Sequence, residues 1–202
     1  MSGSIDLTYP FTGRWRVQNS PADRVPSHGT RAFATSYAID FVPVTDSGRS
    51  APFTLGSLVR PQLPDRFPGF GRPILAPLAG LVLAAYDDAP DHPAYRGLPS
   101  VGYVLTQQRR AAMGWTALAG NHVLLERDGT VVALCHLQRG SIRVRPGQQV
   151  GAGDVIALCG NSGNSTEPHL HIQAIDRPDV AHARAVPLTF RGALPFNGQL
   201  VP

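Results

Sequence analysis

Lysine is absent from this 202-residue chain, whose 18 basic residues are all arginine. A Schiff-base lysine, a cofactor-holding lysine and the lysine of a phosphate loop are thereby excluded. Glutamate occurs only as Glu126 and Glu167, so a glycosidase built on paired glutamates would have to use aspartate. There is no HExxH stretch. Cys135 and Cys159 are too few for a disulfide framework; they read as two buried thiols, the alternative being a single bridge. Long apolar runs are missing as well. The longest, residues 74–86, is broken by Pro77 and Gly80 and is too short to span a bilayer. The first residues have no basic segment leading into an apolar one, so no signal peptide is expected in them. The expected location is therefore cytoplasmic, unless another route exports the chain or it is truncated.

What is present is a foldable core. Apolar residues make up 43% and charged residues 16%, too apolar a balance for a disordered chain. The length suits one domain. The 21 glycines and 19 prolines break up long helices and favour short strands joined by turns. A net charge of +4 suits an anionic partner. The arginines are scattered, however, with Arg109-Arg110 the only adjacent pair, so nucleic acid is not the expected partner.

Strands are predicted over 37–42, 73–77, 80–86, 122–126, 131–137, 155–158 and 170–175, with another around Val150. Arg127-Asp128-Gly129 between two apolar runs marks a hairpin. Residues 43–72 read as a surface excursion. Residues 87–118 interrupt the β rhythm, with room for a short helix over 102–118. The predicted class is mainly β.

The sharpest local feature is Pro168-His169-Leu170-His171-Ile172. Alternation along a strand puts His169 and His171 on one face, where they can share a metal or divide metal binding from proton transfer. The alternative is a pair of surface histidines. His136, inside Val131-Val132-Ala133-Leu134-Cys135-His136-Leu137, is expected to share a face with Leu134 and Val132 while Cys135 points away. A lone histidine on an apolar strand is more often a satisfied core group than a functional one, and His136 gains its weight from the other histidines. Asp40, between Ile39 and Phe41, is the most anomalous acid, because an ionised carboxylate in an apolar strand needs a partner or a metal. Its alternative is a hydrogen-bonded aspartate at a strand end. His28 lies in a loop. A His, Asp, His set completed by water is the arrangement of a catalytic zinc site, and His136 and His169 would then remain for acid–base work.

These segments resemble the lysostaphin/LytM-type zinc endopeptidases, which cut peptide bonds in bacterial peptidoglycan. The resemblance runs from about residue 28 to 175. It is carried by Ser27-His28-Gly29, Tyr37-Ala38-Ile39-Asp40-Phe41, residues 72–82, Gly120-Asn121, Cys135-His136-Leu137, residues 144–156, and the ordered run from Gly160-Asn161-Ser162-Gly163 to Glu167-Pro168-His169-Leu170-His171. It implies one Zn²⁺ on His28, Asp40 and His171, with His136 and His169 as catalytic histidines. It also implies antiparallel β-sheets forming a groove, of the barrel-sandwich or duplicated hybrid type, with a loop or helix insertion. The implied substrate is a peptide or peptidoglycan.

The organisation expected on that basis is an N-terminal extension (1–27) packing on a catalytic β domain (28–190, insertion 87–118), then a C-terminal tail (191–202). The family usually has three residues between its first two ligands; here eleven, residues 29–39, separate His28 from Asp40. Two other readings share the scaffold. One is a non-catalytic groove-binding relative, which the five filled positions disfavour. The other is an intracellular zinc enzyme acting on a non-wall peptide or a small biosynthetic substrate. Nothing in the sequence specifies an oligomeric state.

Overall fold

The structure, a computed structural model, describes residues 3–51, 60–95 and 107–202. Its centre is strand β10 (Leu170–Ile175), all six residues of which are buried. Leu170, Ile172 and Ala174 enter the main apolar core, while His171 and Gln173 alternate onto the opposite face. A strand buried on both faces needs neighbours on both edges. β10 pairs antiparallel with β3 (Ile39–Pro43) on one side and β7 (Thr130–Leu137) on the other.

The sheet extends in both directions. β6 (Asn121–Arg127) forms a hairpin with β7 through the expected Asp128-Gly129 turn, where both residues have positive φ. Asp-Gly suits that geometry because glycine has no Cβ to clash and aspartate tolerates the left-handed region. β5 (Gly80–Tyr86) and β8 (Gln149–Val150) continue beyond β6. On the far side, β2 (Trp15–Gln18) pairs with β3, and β13 (Leu200–Val201) pairs with β2. Strands from residues 1–27 and 191–202 are thus hydrogen-bonded members of the sheet that carries Asp40 and His171. β11 (Ala185–Val186) pairs with β10 as well.

Two smaller ladders lie outside this sheet: β4 (Pro73–Leu75) with β9 (Val155–Leu158), antiparallel, and β1 (Ile5–Leu7) with β12 (Leu188–Phe190), parallel. The protein is mainly β with antiparallel sheets.

One sheet face packs into a large core. There Phe11 stacks on Trp15 with ring centroids 4.2 Å apart and meets Phe41 edge-on at 5.0 Å. Trp15 and Phe41 are fully buried, and truncating either to alanine is expected to cost about 3–5 kcal/mol. The opposite face carries a smaller cluster that includes Ala34, Ala119, Leu124, Val131, Ala133 and Cys135.

Strand β3 begins at Ile39, two residues later than the sequence predicts. The chain before it forms a 3-10 segment, Ala32–Tyr37, with Phe33 and Ala34 in the left-handed region. The helix expected over 102–118 is two short helices, α1 (Gln107–Ala112) and α2 (Trp115–Ala119), divided at Gly114 with φ 93°. The rest of that expectation, residues 102–106, lies outside the described residues, as do 52–59 of the predicted surface excursion. No helix among the described residues is long and apolar enough to cross a membrane.

Candidate metal centre

Antiparallel register places Asp40 of β3 directly opposite His171 of β10, and His171 directly opposite Cys135 of β7. Residues directly opposite share a sheet face, so three strands contribute one row of side chains to the small-core face. His171 Nδ1 lies 2.9 Å from Asp40 Oδ1. His28, from the loop before the 3-10 segment, brings Nε2 to 3.1 Å from Asp40 Oδ2. One donor atom from each of His28, Asp40 and His171 lies within 4.8 Å of the other two. Asn19 adds an amide donor, 2.7 Å from Asp40 Oδ2.

The catalytic candidates stand beside this group. His169 shares the β10 face and holds Nε2 3.9 Å from Asp40 Oδ1. The His136 ring centroid is 4.6 Å from that of His169 and 5.8 Å from that of His171. All five predicted site residues therefore converge. They line a cleft of about 750 Å³ together with Phe33, Trp115, Arg24 and Arg110.

His136 arrives by a route the strand pattern did not anticipate. Asn121 pairs with Leu137 and Val123 with Leu134, so Cys135 and His136 together face His122 alone. This is a β-bulge, and His136 has φ 64° within it. The extra residue re-aims the side chain and leaves Cys135 and His136 on one face. The expectation that Cys135 points away from the histidine cluster is corrected: it lines the cleft, whereas Val132 and Leu134 enter the main core. A non-glycine residue at positive φ beside a functional cluster is a place where backbone strain is held by its surroundings. Both cysteines are buried and free, as expected.

The outer contacts of the histidines run to backbone carbonyls. His136 Nδ1 donates to Ser162 O at 2.9 Å, and His169 Nδ1 to Glu167 O at 2.8 Å, with Ser165 Oγ 2.9 Å from the same nitrogen. Both rings thus turn Nε2 inward. Ser27 Oγ lies 3.0 Å from His28 Nδ1, and Gln173 Oε1 lies 3.0 Å from His171 Nε2. Sequence reasoning did not identify Asn19, Ser162, Ser165 or Gln173 as partners of the cluster, and it gave Glu167 no role there. Gln173 alone carried a local signal, its position two residues after His171 on the same strand face.

The electrostatics favour a cation at the cluster. Burial would raise the Asp40 carboxyl, but His28, His171 and His169 outweigh it and hold the group well below the ordinary carboxylate range. Burial opposes charge on His171, yet the Asp40 carboxylate beside it and Gln173 raise it above its ordinary value. Burial, followed by His169 and His171, presses His136 well below the ordinary imidazole range and keeps it neutral. Two imidazole nitrogens and an ionised carboxylate form the donor set of a catalytic zinc site, and the residues present fit such an ion.

Residues 99–182 match the family described as peptidase family M23. That segment contains His136, His169 and His171, while His28 and Asp40 lie outside it. The peptidoglycan DD-endopeptidase ShyA of Vibrio cholerae serotype O1 is 34% identical over 77 residues, covering 38% of this chain and 18% of ShyA. The glycyl-glycine endopeptidase ALE-1 of Staphylococcus capitis is 33% identical over 79 residues, covering 38% of this chain and 22% of ALE-1. The chain spans about a fifth of the length of these curated relatives. Among solved structures, the catalytic domain of the antimicrobial peptidase lysostaphin from Staphylococcus simulans aligns with a TM-score of 0.40 at 21% identity, covering 74% of each chain. The similarity to peptidase family M23 thus lies in residues 99–182, the segment that carries three of the five converging residues.

Proposed function

We propose that this chain is a zinc-dependent endopeptidase that hydrolyses amide bonds of peptidoglycan peptides, with one Zn²⁺ held by His28 Nε2, the Asp40 carboxylate and His171 Nδ1. The observation that carries this reading is the convergence of those three donors within 4.8 Å, beside two further histidines that turn Nε2 toward them. The chemistry a zinc ion supplies in such a site is Lewis acidity toward an amide carbonyl and toward water, whose pKa falls to about 7. The substrate class is supported by the peptidoglycan endopeptidase ShyA and the glycyl-glycine endopeptidase ALE-1.

His136 and His169 divide the proton transfers. One takes the proton of the attacking water and passes it to the leaving amine; the other, protonated, donates to the developing oxyanion. Neutral His136, with Nδ1–H fixed on Ser162 O, presents a bare Nε2 suited to accepting a proton. His169, anchored on Glu167 O with Nε2 3.9 Å from Asp40 Oδ1, is placed to donate to the oxyanion.

The test is zinc-loaded protein incubated with purified sacculi and with short glycyl and D-alanyl peptides. Mass spectrometry should find newly released amines, and metal analysis should find one zinc per chain. Intact sacculi and peptides in the presence of stoichiometric zinc would overturn the reading.

A further inference from the structure

The eleven residues between His28 and Asp40 form a connection longer than the resemblance implies, and they contain the 3-10 segment Ala32–Tyr37. Two of its carbonyls terminate hydrogen-bond chains that begin on the two histidines flanking Asp40. Ser27 Oγ donates to Thr35 O at 3.1 Å and lies 3.0 Å from His28 Nδ1. Gln173 Nε2 donates to Phe33 O at 2.9 Å, and its Oε1 lies 3.0 Å from His171 Nε2.

A carbonyl oxygen only accepts, and this fixes every role along both chains. The Ser27 hydroxyl spends its single proton on Thr35 O, so its oxygen accepts from His28 Nδ1–H. The Gln173 amide must turn NH₂ toward Phe33 O, because the flipped amide would set two oxygens against each other. Its oxygen therefore accepts from His171 Nε2–H. With these protons assigned, His28 Nε2 and His171 Nδ1 present lone pairs toward the Asp40 oxygens, acceptors that a cation between them would bring together. The carbonyls are held in place by an unusual backbone: Phe33 and Ala34 have φ of 53° and 57°, and Ala34 and Phe33 pack into the small core with Cys135 and Ala119. Such successive left-handed residues persist only where the surroundings over-determine them.

We propose that the 3-10 segment Ala32–Tyr37 is the outer shell of the metal centre: Thr35 O through Ser27, and Phe33 O through Gln173, hold His28 and His171 in opposite tautomers that leave Nε2 and Nδ1 free for the ion. The inference rests on the ligand set proposed above, but not on the identity of the substrate. Ser27 and Gln173 are positioning residues. Outer partners of this kind typically change metal affinity by about 10–100-fold when removed.

The experiment uses the full chain labelled with ¹⁵N. In the zinc-loaded protein, long-range ¹H–¹⁵N correlation should find the proton on Nδ1 of His28 and on Nε2 of His171. Zinc affinity, read by competition with a chromogenic chelator, should weaken about 10–100-fold in Ser27→Ala and in Gln173→Leu. Ser27→Thr, which keeps the hydroxyl, should restore affinity to within a few-fold of the original. The opposite tautomer on either ring of the unmodified protein overturns the proposal whether or not the variants fold. Unchanged affinity in both folded variants overturns it as well. The stated tautomers together with zinc binding but no hydrolysis of sacculi would leave this inference standing while the endopeptidase reading falls.

Discussion

Asp40 and His171 occupy directly opposed positions on adjacent antiparallel strands, and their side chains meet at 2.9 Å over the small-core face of the sheet. The separation in sequence is 131 residues, yet one register decides the contact. A slip of one residue in the β3–β10 pairing would send Asp40 into the aromatic core and leave His171 without its carboxylate. The proposed metal site and the fold are therefore coupled through the register.

Removing ligands and removing proton carriers should have different signatures. His171→Ala is expected to lose both bound zinc and turnover. His169→Ala and His136→Ala should retain zinc near one equivalent while kcat falls by about 10²–10⁴-fold. Metal analysis alongside a peptide cleavage assay reads both quantities. Equal zinc content in His171→Ala and His169→Ala would contradict this division of labour.

The two thiols should be chemically silent in the native protein. Cys135 and Cys159 are each 1% exposed, and burial pushes both well above the ordinary thiol range, with Asp40 adding to the rise at Cys135 and Asp91 at Cys159. Reactivity follows the exposed thiolate, which neither residue supplies. An aromatic disulfide reagent at neutral pH is expected to titrate no thiols before denaturation and two afterwards.

His122 should contribute a measurable slope of stability against pH. Its ring lies between Trp115, at a centroid distance of 4.4 Å, and Tyr86 at 5.7 Å, with Nδ1–H donated to Gly120 O. Burial depresses its affinity for a proton, only partly offset by that hydrogen bond. Below an unfolded-state pKa of about 6.5, the unfolded chain takes up a proton that the folded chain refuses. The stabilisation from a neutral His122 is thus present above that value and is lost as pH falls toward the depressed folded value. His122→Phe keeps a ring but cannot charge. The fall in melting temperature between pH 7 and pH 5 should be smaller in this variant than in the parent, a comparison in which the contributions of Asp40, His136 and His171 cancel. Parallel curves would remove His122 from the account.

Gly163 should tolerate no side chain. It has φ 70°, and a Cβ there would press on the Gly120 backbone nitrogen and the Leu118 carbonyl. Left-handed strain and overpacking together predict a loss of about 2–5 kcal/mol for Gly163→Ala. The neighbouring Ser162 carbonyl anchors His136, so kcat should fall in the fraction that still folds. Denaturant unfolding with parallel kinetics checks both effects. A variant as stable as the parent would show that the close approach is not needed.

Local regularities made much of this protein readable from its residues. The alternation that buries Leu170 and Ile172 also puts His169 and His171 together, because a strand's side-chain period is two wherever the chain runs straight. Asp128-Gly129 marked the β6–β7 hairpin because few other pairs accept its backbone. Asp40 stood out because a carboxylate among apolar neighbours requires a partner. These signals are encoded within a few residues of one another, and the sequence by itself determined the mainly β class and nominated the five residues that converge in the cleft.

Tertiary structure decided what depends on distant partners. A bulge breaks the period at His136 and brings Cys135 onto the same face, an event defined by how β7 pairs with β6 rather than by either strand alone. The long spacer after His28 folds back so that Phe33 and Thr35 reach Gln173 and Ser27, contacts that no periodicity within the spacer encodes. The physical reason is range. Side-chain alternation and turn preference act over a few residues, whereas hydrogen-bond satisfaction of buried groups is solved only when segments far apart in the chain have already come together.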